Sequence, residues 1–446
     1  MTRAPIQTLA KDIRAGHLTS CDLVEQCLAS ITERDPVLNA FIAVLADDAR
    51  KQAQEADAAI SRGNDRGPLH GVPISLKDII DVSGTATSAA SRVRNGHRAT
   101  TDAAVVTRLR EAGAIVIGKC NLHEFAFGTT GEDSAFGPTR NPYAEDHIAG
   151  GSSSGSAVSV ATGMAVASIG TDTGGSIRIP ASACGVVGLK PTFGDVSVDG
   201  IIPLAPSLDH VGPLTRVVAD AVIIHQVIKD HRIDKFPPAG GSLRQTRFGV
   251  PRRYFLDNID AAVGELFESA VRRLDAAGGH VTDVDIPHAA DTAAVYLHTQ
   301  LPEAATYHRP MLDTKAEAYC PSVRARLELG RYVLAEDYLL AQRGREILRR
   351  EVDAALAENE ALLLPTLPII PPKIGVTMTE AGGKRDSVRA LTLRLTQLFD
   401  LTGHPAISIP CGTAEGLPVG IQLVGRRNAT DALLTLAAQF EDVIRN

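Results

Sequence analysis

The sequence predicts an α/β fold, a sheet covered by helices on both faces, and three observations point to it. Short apolar runs of strand length alternate with amphipathic, helix-period stretches along the chain. A hydrophobic content of 44% is ordinary for a globular protein that buries a large core. Across 446 residues no Gln/Ser tract, long Pro-rich run or block of like charge marks a linker. A length prior of about 150 residues per domain would suggest three domains, but without a linker a single domain over 1–446 is expected.

The elements follow in order. Residues 4–62 read as helices, with Thr19 and Ser20 as cap candidates before a stretch whose Leu23, Val24, Cys27, Leu28 and Ile31 share one face. Gly71–Lys77 is a short apolar strand ending on a lysine, with Ile74, Leu76, Ile79 and Ile80 around it. Desolvation there would lower the lysine pKa, and a neutral lysine can act as a general base. An amphipathic helix over Asp102–Ala112 precedes the strand Ala114–Gly118, and residues 123–142 form a Gly-, Thr- and Pro-rich loop. Cys184–Lys190 is a further strand and turn, and Ala219–Ile228 is a helix. Residues 260–278 and 323–358 read as helices with charged outer faces. Leu362–Pro368, Ala406–Pro410 and Val419–Leu423 are apolar strands.

Composition narrows the function classes. The formal charge of −7 and pI near 6.0, with scattered basic residues, give no electrostatic footprint for nucleic acid. The first twenty residues hold no apolar core of signal-peptide length. The uncharged run 157–170 is the one candidate membrane span, but it reaches about 21 Å as a helix against about 30 Å of hydrocarbon. It reads as a buried helix. Six dispersed cysteines without a CxxC pair indicate neither a disulfide framework nor a zinc site, so a reducing cytoplasm is the expected setting.

The chemistry concentrates between Ala149 and Pro180. Gly/Ser clusters at 150–156 and 173–176 flank that uncharged run. Glycines permit positive φ and close approach, so N–H groups can converge on a ligand oxygen. Serines in such loops are candidate nucleophiles or hydrogen-bond relays. Three partial motifs are rejected. Gly113-AIVI-Gly118-Lys119-Cys120 resembles a phosphate loop, but its β-branched residues belong to a strand. His123-Glu124 has Phe127 where a zinc helix needs a second His. Gly151-Ser-Ser-Ser-Gly155 fits G-x-S-x-G, but a polar loop precedes it where a nucleophile elbow needs an apolar strand.

Gly150-Gly151-Ser152-Ser153, Thr171-Asp172-Thr173-Gly174-Gly175-Ser176-Ile177-Arg178 and Pro180, with Ser75-Leu76-Lys77-Asp78 upstream, resemble the motifs of the amidase signature family. The separations of Lys77, Ser152 and Ser176 also fit. The resemblance covers a signature core of about 71–213 and resumes at 404–446, chiefly His404–Gly425. Residues 230–400 carry no family motif and are expected to form much of the substrate pocket, with Tyr296, Tyr307, Met311, Tyr319 and Tyr332 as lining or core candidates.

The resemblance implies a mixed, twisted central sheet wrapped in helices and a Ser-cisSer-Lys triad. Ser176 is the implied nucleophile, Ser152 the relay and Lys77 the base. The backbone of Thr173, Gly174, Gly175 and Ser176 would supply oxyanion donors, with Ser153, Asp172 and Arg178 in support. Phe127, Gly128, Thr129, Gly150 and Gly151 would lie beside substrate. One departure is Ser154, where the family usually has Gly; its Cβ would restrict φ > 0 and add a hydroxyl near the relay.

The implied activity is stand-alone hydrolysis of small amides, with carbamates and aryl esters as alternatives. No cofactor or metal is implied, the partner is the small-molecule substrate, and the chain is expected as a monomer or homodimer. A second reading is the glutaminase-like A subunit of a tRNA-dependent amidotransferase, which SAFGPTRNP also resembles, although no glutamine-clamping residues can be placed in 300–400. A third is a non-catalytic binding protein on this scaffold, which the intact Lys77, Ser152 and Ser176 argue against.

Overall fold

A computed structural model describes residues 3–229 and 243–445. Eleven strands form one sheet: β1 (Phe41–Val44), β2 (Pro73–Lys77), β3 (Ile115–Cys120), β4 (Ala167–Asp172), β5 (Val187–Lys190), β6 (His210–Thr215), β7 (Arg247–Pro251), β8 (His280–Val284), β9 (Ala361–Pro365), β12 (Ala406–Ala414) and β13 (Leu417–Val424). Between β9 and β12 the chain makes a separate hairpin, β10 (Met378–Ala381) with β11 (Lys384–Ser387). Sheet order is β1-β3-β2-β4-β6-β5-β12-β13-β9-β7-β8. The β3-β2-β4 and β9-β7-β8 neighbours run parallel and the other pairs antiparallel, so the sheet is mixed.

Strand alternation explains why both faces are covered. In β9, Ala361 and Leu363 join Phe248, Ile421 and Phe440 in one apolar layer, while Leu362 and Leu364 join Leu348, Leu398 and Phe399 in the other. The first layer is roofed by helices Val218–Ile228, Ala261–Ala276 and Thr430–Arg445, the second by Thr292–Lys315, Ala335–Ala355 and Gln397–Thr402. No helix among the described residues is long and apolar enough to cross a membrane, and all six cysteines are free.

Most expected elements lie where the sequence placed them. Thr19 caps Ser20–Leu38 in a capping box with Asp22, and the stripe from Leu23 to Ile31 is buried. Three expectations change. The helical reading of 4–62 is interrupted by β1, a four-residue edge strand whose partner β3 lies far along the chain. The uncharged run read as one buried helix is a helix, Ser154–Thr162, followed by β4; Gly163 at φ 76° ends the helix in a left-handed cap. The stretch 323–358 divides into Pro321–Gly330 and Ala335–Ala355.

Candidate active site

Lys77 ends β2 beneath the Ser154–Thr162 helix and the two Gly/Ser loops. Its side chain is fully buried, and Nζ donates to Ser152 Oγ at 2.7 Å and Thr171 Oγ1 at 2.8 Å. No carboxylate of the described residues forms an ion pair with it. Burial pulls its pKa down to about 7, the more distant Asp172 and Asp209 carboxylates opposing that only in part. The amine is therefore poised to be neutral near pH 7 and to accept a proton from the hydroxyl it touches.

Ser152 is buried and follows a cis peptide from Gly151. Its carbonyl accepts the His123 N–H at 3.1 Å, and the next N–H, of Ser153, donates to the Ser176 carbonyl at 3.1 Å. That bond ties the first Gly/Ser loop to the second. Gly150 and Gly151 allow the approach: a Cβ on Gly150 would stand 3.0 Å from Pro180 Cα, and one on Gly151 2.9 Å from Gly131 N. Ser153 Oγ bonds to the Thr171 carbonyl at 3.2 Å and so braces the strand end that holds Lys77. Of Lys77, Ser152 and Ser176, Ser176 alone keeps solvent access, at 6% exposure against 0% for the other two.

The loop that carries Ser176 is wound around a buried carboxylate. Asp172 Oδ1 accepts the Gly175 N–H at 2.6 Å, and Oδ2 accepts the Ile177 N–H at 3.1 Å. Arg178, also fully buried, clasps the same carboxylate through Nε at 3.0 Å and a terminal nitrogen at 3.1 Å, and reaches Asp400 at 2.6 Å. Asp172 is held far below the usual carboxylate range by Arg178, against the effect of burial. Burial and the neighbouring Asp172 raise Asp400 well above that range. The expected oxyanion donors are corrected in one respect: the Gly175 N–H is already committed to Asp172. Among the described residues the N–H groups of Thr173, Gly174 and Ser176 have no protein acceptor, which leaves them for a ligand oxygen. Gly175 is still required, at φ +135°, where a Cβ would strike Thr396 Oγ1.

Ser154 resolves differently from the expectation. It opens the Ser154–Thr162 helix without positive φ, and its hydroxyl donates to Thr139 Oγ1 at 3.1 Å rather than entering the relay. Phe127 is fully buried, Gly128 makes room for the His123 ring, and Thr129 meets Thr392 Oγ1 at 2.9 Å. Three residues that sequence reasoning left out bear on the site. Asp400 and Gln422 extend the Asp172–Arg178 cluster, and Thr396 Oγ1 donates to the Gly174 carbonyl at 2.6 Å. A polar residue alternating with apolar ones inside a buried strand, as Gln422 does in β13, was the available signal. Tyr296 lies against Gly174, where a Cβ would come within 2.3 Å of its hydroxyl. No group of three or more His, Cys, Asp or Glu among the described residues is placed to hold a metal ion.

A buried lysine thus meets one serine hydroxyl, and the loop carrying a second serine is tied to it through a backbone hydrogen bond. The Amidase family model matches residues 22–434. The A subunit of the glutamyl-tRNA(Gln) amidotransferase of Symbiobacterium thermophilum is 38% identical over 97% of this chain and 95% of its own. A crystal structure of an amidase superposes with TM-score 0.94 at 37% identity, covering 99% of this chain and 100% of that one. The corresponding glutamyl-tRNA(Gln) amidotransferase component of Thermotoga maritima superposes with TM-score 0.79 at 34% identity, covering 95% and 91%. The chain belongs to the amidase signature family and is an enzyme acting on carbon–nitrogen bonds.

Proposed function

We propose that this protein is a free-standing serine amidohydrolase that cleaves small amides through an acyl-enzyme on Ser176. One observation carries the reading: the fully buried Lys77, free of carboxylate partners, lies 2.7 Å from Ser152 Oγ. Neutral Lys77 takes the Ser152 proton as Ser152 takes that of Ser176. Ser176 Oγ bonds to the substrate carbonyl carbon, and the oxyanion is met by the unpaired N–H groups of Thr173, Gly174 and Ser176, each worth on the order of 3 kcal/mol. Collapse breaks the C–N bond while the relay returns the proton to the departing nitrogen. Water then gives its proton to the relay and its oxygen to the acyl carbon, releasing a carboxylic acid and restoring Ser176. Carbamates and aryl esters present the same carbonyl and are alternative substrates. The reaction needs no cofactor, and a cytoplasmic monomer or homodimer is the simplest setting.

The higher superposition on the amidase than on the amidotransferase component, 0.94 against 0.79 at similar identity, supports the amidase reading over the amidotransferase one without bearing on partners. The second reading, one component of an amidotransferase, draws on the curated relative of that name. Turnover of an aryl anilide, a primary amide, glutamine, an aryl carbamate and an aryl ester by the purified chain alone separates the two. Hydrolysis of the anilide or primary amide without partner or ATP is expected. Silence on all but glutamine, or on all five until a partner is added, would favour the amidotransferase. Ser176→Ala is expected to lower turnover by about 10⁴-fold or more with an unchanged melting temperature.

A further inference from the structure

Two arginines of the 230–400 segment converge on Phe127 in the 123–142 loop without a carboxylate to meet them. The Arg326 guanidinium lies 5.2 Å from the Phe127 ring centroid and donates to the Phe127 carbonyl at 2.7 Å; the Arg389 guanidinium lies 5.7 Å from the same ring. Both are half-buried, and among the described residues neither takes part in an ion pair. Arg326 Nε is buried with no acceptor. The acids closest in influence are engaged elsewhere: Asp133 with His123 and Ser322, and Glu124 with the Cys320 N–H. The Tyr296 phenol, the other polar neighbour of Arg389, already receives the Gln300 amide at 2.6 Å. Two like charges share one ring, and their guanidinium pKa values are pulled down, by burial first and, for Arg326, by Arg389 next.

Their position relates them to the reaction. Arg389 and Thr392 are one turn apart on helix Val388–Arg394, so they share a face, and Thr392 touches Thr129. The Thr129 backbone abuts Gly151, the residue before Ser152. Just beyond that helix Thr396 holds the Gly174 carbonyl, and Tyr296 lies over Gly174. Half-buried guanidinium groups gathered at one ring without a counter-ion are costly, and an anion bound beside them would offset that cost. Arginine's planar fork suits a carboxylate in particular.

We infer that Arg389, with Arg326 beside it, binds a carboxylate carried by the substrate, so the preferred amide is an anionic one. This rests on the amidase reading, and the test separates the two. Two matched probe pairs are compared by kcat/KM: glutaryl against pentanoyl 4-nitroanilide, with the charge on the acyl side, and 4-acetamidobenzoate against acetanilide, with the charge on the leaving group. The anionic member of at least one pair should be favoured by about 10- to 100-fold, the range of a hydrogen bond to a charged group. Arg389→Gln should bring that ratio near unity, and Arg389→Lys should restore part of it. Should none of the four probes turn over, glutarate binding to Ser176→Ala by calorimetry decides, with at least tenfold weaker binding expected once Arg389→Gln is added. The inference is overturned by ratios near unity in both pairs, by a preference that survives Arg389→Gln in the folded variant, or by glutarate affinity indifferent to Arg389.

Discussion

Two neighbouring strands each end in a buried lysine, and the two lysines have opposite surroundings. Lys77 closes β2 and Lys119 lies one residue before the end of β3, with Leu76 paired to Lys119 and Lys77 to Cys120. Side chains alternate along a strand, so the register that puts Lys119 beside Leu76 turns it to the face opposite Lys77. Lys119 meets Asp78 at 2.8 Å and the Ala86 carbonyl at 3.1 Å, a paired charge in the interior. Lys77 meets only hydroxyls and a carbonyl. Burial is equal, and the partners differ: a carboxylate for one amine, a serine hydroxyl for the other. A third buried lysine, Lys190 at the end of β5, sharpens the point. Burial lowers its pKa to about 7 as well, yet its amine faces His210 and the Pro191 carbonyl, with no serine to deprotonate. A lowered pKa without an acid to accept from does not make a base.

The largest expected effect of breaking this contrast is at Lys77. Lys77→Met should lower kcat by about 10²- to 10⁴-fold, the contribution of a general base, and leave unfolding by urea unchanged or shifted toward higher stability. Lys119→Met should do the reverse. It leaves buried Asp78 unpaired, so a stability loss of about 3–5 kcal/mol is expected in the urea midpoint, with the activity of the molecules that remain folded nearly intact. A Lys119 variant that folds normally but loses turnover would collapse the distinction. The smallest effect is expected at Ser154→Gly, which removes one hydroxyl contact with Thr139 and places Gly in a helix. About 1 kcal/mol should be lost in thermal unfolding with little change in rate, because the hydroxyl is engaged by Thr139.

The signature loops were legible because their residues are contiguous in the chain and resemble a family motif. Gly150, Gly151 and Gly175 meet close approach or positive φ in the structure, but the sequence pointed to them, and to Lys77 at the end of an apolar strand, through the family resemblance of their motifs. What the sequence hid depends on contacts between distant segments. β1 is four residues long and exists through its pairing with β3. The commitment of the Gly175 N–H to Asp172 is a matter of rotamer, invisible in T-D-T-G-G-S. Arg326 and Arg389 look like two of many surface arginines until the fold sets both over Phe127. The helix Thr292–Lys315, which presents Tyr296 to Gly174, contains two prolines that mask its periodicity.

The central claim, that Lys77 works as a neutral base, is tested most directly by the pH dependence of kcat/KM on an uncharged anilide. Protonated Lys77 has no lone pair to accept from Ser152, so activity is absent well below its folded pKa of about 7 and complete above it. The expected profile rises tenfold per pH unit below about 7 and reaches a plateau on the alkaline side. With chemistry shown to be rate-limiting, a rate flat from mildly acidic to alkaline pH would contradict the account.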